Sequence, residues 1–295
     1  MARENAARAV QFSLLSVTMN TLLALGKGVA GFMGNSQALV ADAVESLLDV
    51  FSGLVVLYGL RVAARPADAN HPYGHGKAEP LSGAFVAMAL IGGAAAVAAA
   101  SAEQLTRPQI SPEPYTLLVL VGVIILKEGL FRLIARRGDE LQSTALIGDA
   151  WHHRSDALTS AAAFVGIGVA LLGGDSYAAA DDWAALFACV IIALNGFRLL
   201  RPALHELMDT APDGATLEEV RHVAEAVPGV NAVETCVMRK TGFEMLVDLH
   251  VEVDGNIPVR EGHRIAHEVK DAIKQAMPQV LDVLVHVEPS PDIKK

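Results

Sequence analysis

The sequence predicts an α-helical membrane protein: six transmembrane helices followed by a small cytoplasmic αββαβ domain. Three observations support this. First, 52% of the 295 residues are hydrophobic and only 19% charged, with a mean hydropathy of +0.38. A soluble domain carries about 25% charge and breaks its apolar residues into short periodic runs, whereas here they come in long blocks. Second, basic residues fall at alternate ends of those blocks. Third, the composition changes abruptly after Asp209. The predicted domains are therefore 1–209, transmembrane, and 210–295, cytoplasmic.

Spanning a hydrocarbon core of ~30 Å takes ~20 helical residues. Six segments meet this, at 9–33, 37–62, 80–104, 115–136, 143–172 and 179–201. Ala84 to Ala102 is almost wholly Ala, Val, Leu, Ile and Gly, and Leu117 to Leu126 is purely aliphatic. The second and fifth segments carry acidic residues and histidines. Their apolar flanks, Leu54 to Leu60 and Ala161 to Leu172, favour spanning helices with one polar face turned into a bundle. Arg3 and Arg8, then Arg61, Arg65 and Lys77, then Arg132, Arg136 and Arg137, then Arg198 and Arg201 mark one side. The other side has only Arg107, with Asp175, Asp181 and Asp182 in its last loop. Positive residues stay inside, so both termini are expected in the cytoplasm. The first apolar stretch is too long for a cleaved leader.

In the tail, Thr216 followed by Glu219 reads as a capping box opening a helix that ends before Pro228-Gly229. Val233 to Arg239 and Met245 to Val253 read as strands around a turn at Thr241-Gly242; in the second, apolar residues alternate with Asp248, His250 and Glu252. Ile265, Val269, Ile273 and Met277 carry helical spacing, and Asp282 to Glu288 is a last strand.

A net charge of −10 excludes phosphate-backbone binding, and so a nucleic-acid partner, as the main activity. Two cysteines, Cys189 and Cys236, build neither a disulfide framework nor a thiolate zinc site. The chemistry lies elsewhere. Ionisable residues at membrane depth are costly and mark function. The second segment has Asp42, Glu45 and Asp49 at i, i+3 and i+7, on one helix face. The fifth has Asp149, His152, His153 and Asp156, and spacing alone pairs either His152 with Asp156 or Asp149 with His153. Brought together, these carboxylates repel one another unless a divalent cation offsets them. The alternative is a salt-bridge network, for which the membrane interior offers only Lys27 and Lys127. A second cluster, Asp68, His71 and His75, sits on a loop kinked by Pro72, Gly74 and Gly76 and has metal-ligand character. In the tail, His250, His286 and Glu288 share non-core strand faces and His263 and His267 lie one helical turn apart.

The residues from Gly34 to Asp49 (GNSQALVADAVESLLD), from Asn70 to Glu79 (NHPYGHGKAE) and from Asp149 to Asp156 (DAWHHRSD) resemble the cation diffusion facilitator family, in its bacterial divalent-metal branch. The αββαβ tail is similar to that family's metallochaperone-like domain. The resemblance implies a homodimer in a lipid bilayer, the bacterial inner membrane, exporting a divalent cation from the cytoplasm in exchange for protons. By motif position it implies a transport site of Glu45, Asp49, His152 and Asp156, with Asp42, Asp149 and His153 around it. It implies a loop site at Asp68, His71 and His75, and a tail site at His250, His263, His286 and Glu288 with Glu234. Glu45 stands where Asp or His is more usual, and Glu234 where relatives often carry His. Lys77 and Asp209 match a charged pair that locks helices three and six in relatives.

Three carboxylates and one imidazole without sulfur argue against Cu(I) and suit Zn²⁺, Fe²⁺ or Mn²⁺. Four ligands favour zinc; the oxygen-rich set keeps iron and manganese open, and magnetosome iron transporters of the family share much of this motif context. An intramembrane metallohydrolase would need an open metal position and a separate general base. A passive channel would need weaker coordination than an imidazole–carboxylate chelate gives. The sequence therefore predicts an alternating-access carrier, not an enzyme.

Overall fold

The computed structural model describes residues 2–107, 111–141, 144–174, 177–242 and 244–290, without the side chains of 2–16, 138–139, 141, 144–149, 152 and 155. Six long helices come first: α1 (Ala2–Met33), α2 (Gln37–Ala63), α3 (Ala78–Leu105), α4 (Tyr115–Leu141), α5 (Thr144–Leu172) and α6 (Ala180–Leu207). The shortest has 27 residues, which is roughly 40 Å of helix. Of these, α3 and α6 are long and apolar enough to cross a membrane by composition as well as length. The remaining elements are α7 (Gly214–Glu225), β1 (Ala232–Thr241), β2 (Glu244–Val253), α8 (Val259–Ala276) and β3 (Val280–Pro289), in the expected αββαβ order.

The chain divides into two compact units, Met1–Val55 with Phe85–Leu199, and Val56–Ala84 with Leu200–Lys295. In the first, small and aliphatic side chains of α2 to α6 make the core, among them Leu39, Ala94, Leu120, Ile167 and Ile192. Close helix approach depends on small residues: a Cβ on Gly196 would come within 2.7 Å of Ile91, and one on Gly166 within 2.2 Å of Ala184. The start of α2 is held from outside its own segment. The Ser36 hydroxyl accepts the Leu39 N–H at 3.2 Å and donates to Asp181 Oδ1 of α6 at 2.7 Å. Asp181 Oδ2 accepts the Gln37 N–H at 2.5 Å and the Ala38 N–H at 3.4 Å. The orphan donors of the first turn are thus met, and a negative charge stands at the positive end of the helix.

The second unit holds a three-stranded sheet in the order β1-β2-β3, with β1 antiparallel and β2 parallel to their neighbours β2 and β3. Alternation along β2 sends Val247, Leu249, Val251 and Val253 into the core, where they meet Val220 of α7 and Ile265, Val269 and Ile273 of α8. Gly242, at φ +65, supplies the left-handed residue that the turn after β1 needs. The cap of α7 differs from the expected Thr216–Glu219 box. Asp213 caps the helix instead, accepting the Thr216 N–H at 2.8 Å and its hydroxyl at 2.7 Å. A short carboxylate on an extended residue reaches the third amide without a second partner, which moves the helix start to Gly214.

Ile273 is fully buried in this core. Ile273→Ala should destabilise the tail by about 2–5 kcal/mol, seen as earlier unfolding of this domain in a denaturant titration.

Candidate metal centres

In the helical unit two fully buried lysines engage the acidic faces, Lys27 that of α2 and Lys127 that of α5. Lys27 of α1, 0% exposed, donates from Nζ to the Asp42 carbonyl at 3.0 Å and to Ser46 Oγ at 2.6 Å, and lies 2.9 Å from Asp42 Oδ2. Ser160 of α5 donates its hydroxyl to the same Asp42 carboxylate, at 2.9 Å from Oδ2. Asp42 therefore ties α1, α2 and α5 together. Lys127 of α4, also 0% exposed, donates to Asn20 Oδ1 at 2.8 Å and to Asp156 Oδ2. Burying an ammonium without such partners would cost several kcal/mol.

Asp156 and His153 are buried, and Glu45 and Asp49 half-buried. The Ser160 hydroxyl on the Asp42 carboxylate joins the acidic face of α2 to α5, and among the described residues Glu45, Asp49 and Asp156 are not gathered within 4.8 Å of one another as the two clusters of the second unit are. The side chains of Asp149 and His152 lie outside the described residues. Both lysines that the salt-bridge alternative required are thus engaged, one with Asp42 and one with Asp156. Asn20, Ser46 and Ser160 were not singled out from sequence. Their only signal is position, Ser160 one turn beyond Asp156 and Ser46 one turn beyond Asp42.

In the second unit, the loop between α2 and α3 gathers its three residues through Asp68. Its Oδ1 accepts the backbone N–H of Asn70 at 2.9 Å and of His71 at 2.8 Å, and stands 3.1 Å from His71 Nδ1. Its Oδ2 is 3.5 Å from His75 Nε2. The two imidazole centroids are 4.3 Å apart, and ligand atoms of all three residues lie within 4.8 Å of one another, the span one metal ion bridges. The backbone N–H of His71 holds the Asp68 carboxyl below its ordinary range. The loop is seated on the tail: a Cβ on Gly76 would come within 2.5 Å of the Thr241 carbonyl oxygen, and the Arg239 guanidinium lies 5.6 Å from the Tyr73 ring centroid.

Next to this loop, Lys77 donates to the Glu206 carbonyl at 2.5 Å and to Asp209 Oδ1 at 2.6 Å. Strand β1 adds two further charges, Arg239 at 3.6 Å from Asp209 Oδ2 and Lys240 at 3.1 Å from Glu206 Oε2. Sequence reasoning singled out Lys77 and Asp209 but not Glu206, Arg239 or Lys240, which lie far apart along the chain.

On the outer face of the sheet, His250 Nδ1 is 2.8 Å from Glu288 Oε1 and 3.7 Å from Glu234 Oε2. His286 Nε2 is 3.3 Å from Glu288 Oε1. The parallel register sets His250 opposite His286 and Glu252 opposite Glu288. Glu234 follows the core-facing Val233 and so turns to this face, and the register shift between Val233 and Thr235 leaves it no partner of its own on β2. Glu234, His250 and Glu288 present ligand atoms within 4.8 Å of one another. His263 is placed differently from the other histidines of the expected set: its ring packs against His267 of the same helix, centroids 4.5 Å apart. It joins Glu288 only as part of the lining of a cavity of about 440 Å³.

Two helices long and apolar enough to cross a membrane, together with imidazole–carboxylate clusters, are features that an integral membrane protein handling metal cations requires. Comparison with known families agrees. Residues 13–208 match the cation efflux transmembrane domain and residues 212–290 the cation efflux protein cytoplasmic domain. The manganese efflux system protein MneP of Bacillus subtilis is 30% identical over 98% of this chain and 99% of its own length. The magnetosome protein MamB of Magnetospirillum gryphiswaldense is 30% identical over 93% of this chain and 92% of its own. Metal tolerance protein C1 of Arabidopsis thaliana is 30% identical over 94% of this chain and 61% of its own. The chain belongs to the cation efflux, or cation diffusion facilitator, family, and it is a divalent metal cation efflux transporter.

The lowered Asp68 pKa fixes a pH dependence for the loop. A carboxyl depressed on folding contributes order that is present above its unfolded pKa and is lost as pH falls through the folded one. Proton NMR of His71 should report the loop opening only below the ordinary carboxylate range, and Asp68→Asn should remove that transition.

Proposed function

We propose that the protein exports Zn²⁺ from the cytoplasm in exchange for protons, as a homodimer working by alternating access in a bacterial inner membrane, with both termini cytoplasmic and six membrane-spanning helices. The observation that carries this is the family's transmembrane domain over residues 13–208, with Glu45 and Asp49 on α2 and Asp156 on α5 inside it. With His152 they form the cargo site. Four donors, one of them imidazole, favour zinc. Zinc requires the neutral imidazole, so binding expels a proton and the two ions compete for one site, as exchange requires. Domain limits near residue 209 fit this division of labour, the helices carrying the ion and the tail sensing it.

A second reading, Mn²⁺ or Fe²⁺ as cargo, is favoured by the oxygen-rich donor set; manganese is favoured as well by the similarity to a manganese efflux protein. In either case the Asp68, His71 and His75 cluster and the Glu234, His250 and Glu288 cluster, with His286 beside it, take the same metal. Metal bound at the tail offsets the acidity of the outer sheet face and so favours pairing of two copies. The Lys77–Asp209 pair holds the cytoplasmic ends of α3 and α6 together.

Purified protein in vesicles should take up Zn²⁺ with counterflow of protons. Asp49→Ala should abolish this flux without loss of the folded protein, and wild-type flux from a folded Asp49→Ala protein would remove Asp49 from the site. Parallel uptake of Mn²⁺ and Fe²⁺ decides the cargo. His250→Ala should abolish the rise in melting temperature that Zn²⁺ gives the tail while leaving uptake measurable; an unchanged rise would place the tail's metal elsewhere.

A further inference from the structure

Lys127 is a fully buried ammonium whose two recorded partners are Asn20 Oδ1 and Asp156 Oδ2. Asp156 is also one of the cargo ligands in the function proposed above, and the inference rests on that reading. One carboxylate then faces two claimants, a tethered cation and a diffusible one. We propose that Lys127 is an affinity-setting residue: its ammonium compensates Asp156 while the site lacks cargo, yields it when a divalent cation binds, and reclaims it as the cation leaves.

Charge supports this. Each ammonium is paired with one buried carboxylate of the helical unit, Lys27 with Asp42 and Lys127 with Asp156. The two lysines differ in role. Lys27 is fixed by three acceptors on α2, two of them the carbonyl and carboxylate of Asp42, and Asp42 is further engaged by Ser160. It holds helices together. Lys127 has a neutral amide as its alternative, which can keep the ammonium hydrogen-bonded after Asp156 turns to the metal. Asn20 is thus a resting place as well as a contact. A carrier needs release as well as capture, and a tethered competitor lowers affinity without removing a ligand.

The test uses purified full-length protein, with Zn²⁺ and Mn²⁺ titrated calorimetrically, melting followed with and without metal, and initial uptake rates measured in vesicles. Lys127→Gln should bind either ion about tenfold tighter or more, melt lower without metal, and regain stability with it. Its uptake should show a lower KM and a lower kcat, since release is slowed. Lys127→Arg should keep the wild-type affinity. A merely structural lysine would lower stability with and without metal and leave KM unchanged or raised.

If Lys127→Gln fails to fold, Asn20→Leu decides. Without the amide the ammonium has no second acceptor on which to rest, so folded Asn20→Leu should bind either ion about tenfold more weakly. An unchanged affinity in folded Asn20→Leu, or an unchanged affinity in folded Lys127→Gln, overturns the proposal. Wild-type metal binding by Asp156→Asn would instead overturn the assignment of Asp156 as a ligand.

Discussion

Buried charge must be balanced, and the helical unit depends on how that is done. An isolated carboxylate or ammonium taken from water into an apolar interior costs several kcal/mol even after relaxation. The sequence nevertheless puts Asp42, Glu45 and Asp49 on α2 and Asp156 on α5. Lys27 and Lys127 make this arrangement tolerable in the absence of an ion. Both come from helices other than the ones that carry the acids, so the same bonds that balance charge also fix α1 against α2 and α4 against α5. Packing and electrostatics are here one constraint. A bundle of small side chains, with Gly166 and Gly196 in close approach to neighbouring helices, would otherwise have little to select one arrangement over another.

The tail solves a different problem. Its core is ordinary: alternating strands and two amphipathic helices bury Val247, Leu249, Ile265 and Ile273. The outer sheet face then carries the chemistry, and the backbone chooses which residues meet there. Parallel pairing sets His250 beside His286, and alternation after Val233 turns Glu234 to the same face. In the same unit, Asp209 adopts φ +56 just past the end of α6, where a non-glycine residue is strained by about 1–2 kcal/mol. Its carboxylate lies close to Lys77 and Arg239, which offset that strain.

Much of this was legible in the sequence. Helix lengths, the polar faces of α2 and α5 and the αββαβ order followed from hydrophobic period and from the compositional break after Asp209. The loop cluster was legible because its residues lie within eight positions, so local chain geometry suffices. Three things were not. The α7 cap was assigned three residues late because Thr216-Glu219 satisfies the pattern as well as Asp213 does, and only the backbone angle distinguishes them. Arg239, Lys240 and Glu206 join Lys77 and Asp209 through tertiary contact, which no local period encodes. His263 was placed in the tail site by the family resemblance, whereas its ring packs with that of His267, whose side chain leans back over the preceding turn of the same helix.

The bulge in β1 has a consequence for how such tails diverge. Side chains on a strand alternate between faces, so one residue inserted between Glu234 and Thr235 would shift the register before it and turn Glu234 away from His250 and Glu288. The hydrophobic core could re-form with the same composition, and every acidic residue and histidine would still be present in the chain. Two relatives could therefore carry the same ligand types in the same order, yet only one of them hold a cation on this sheet.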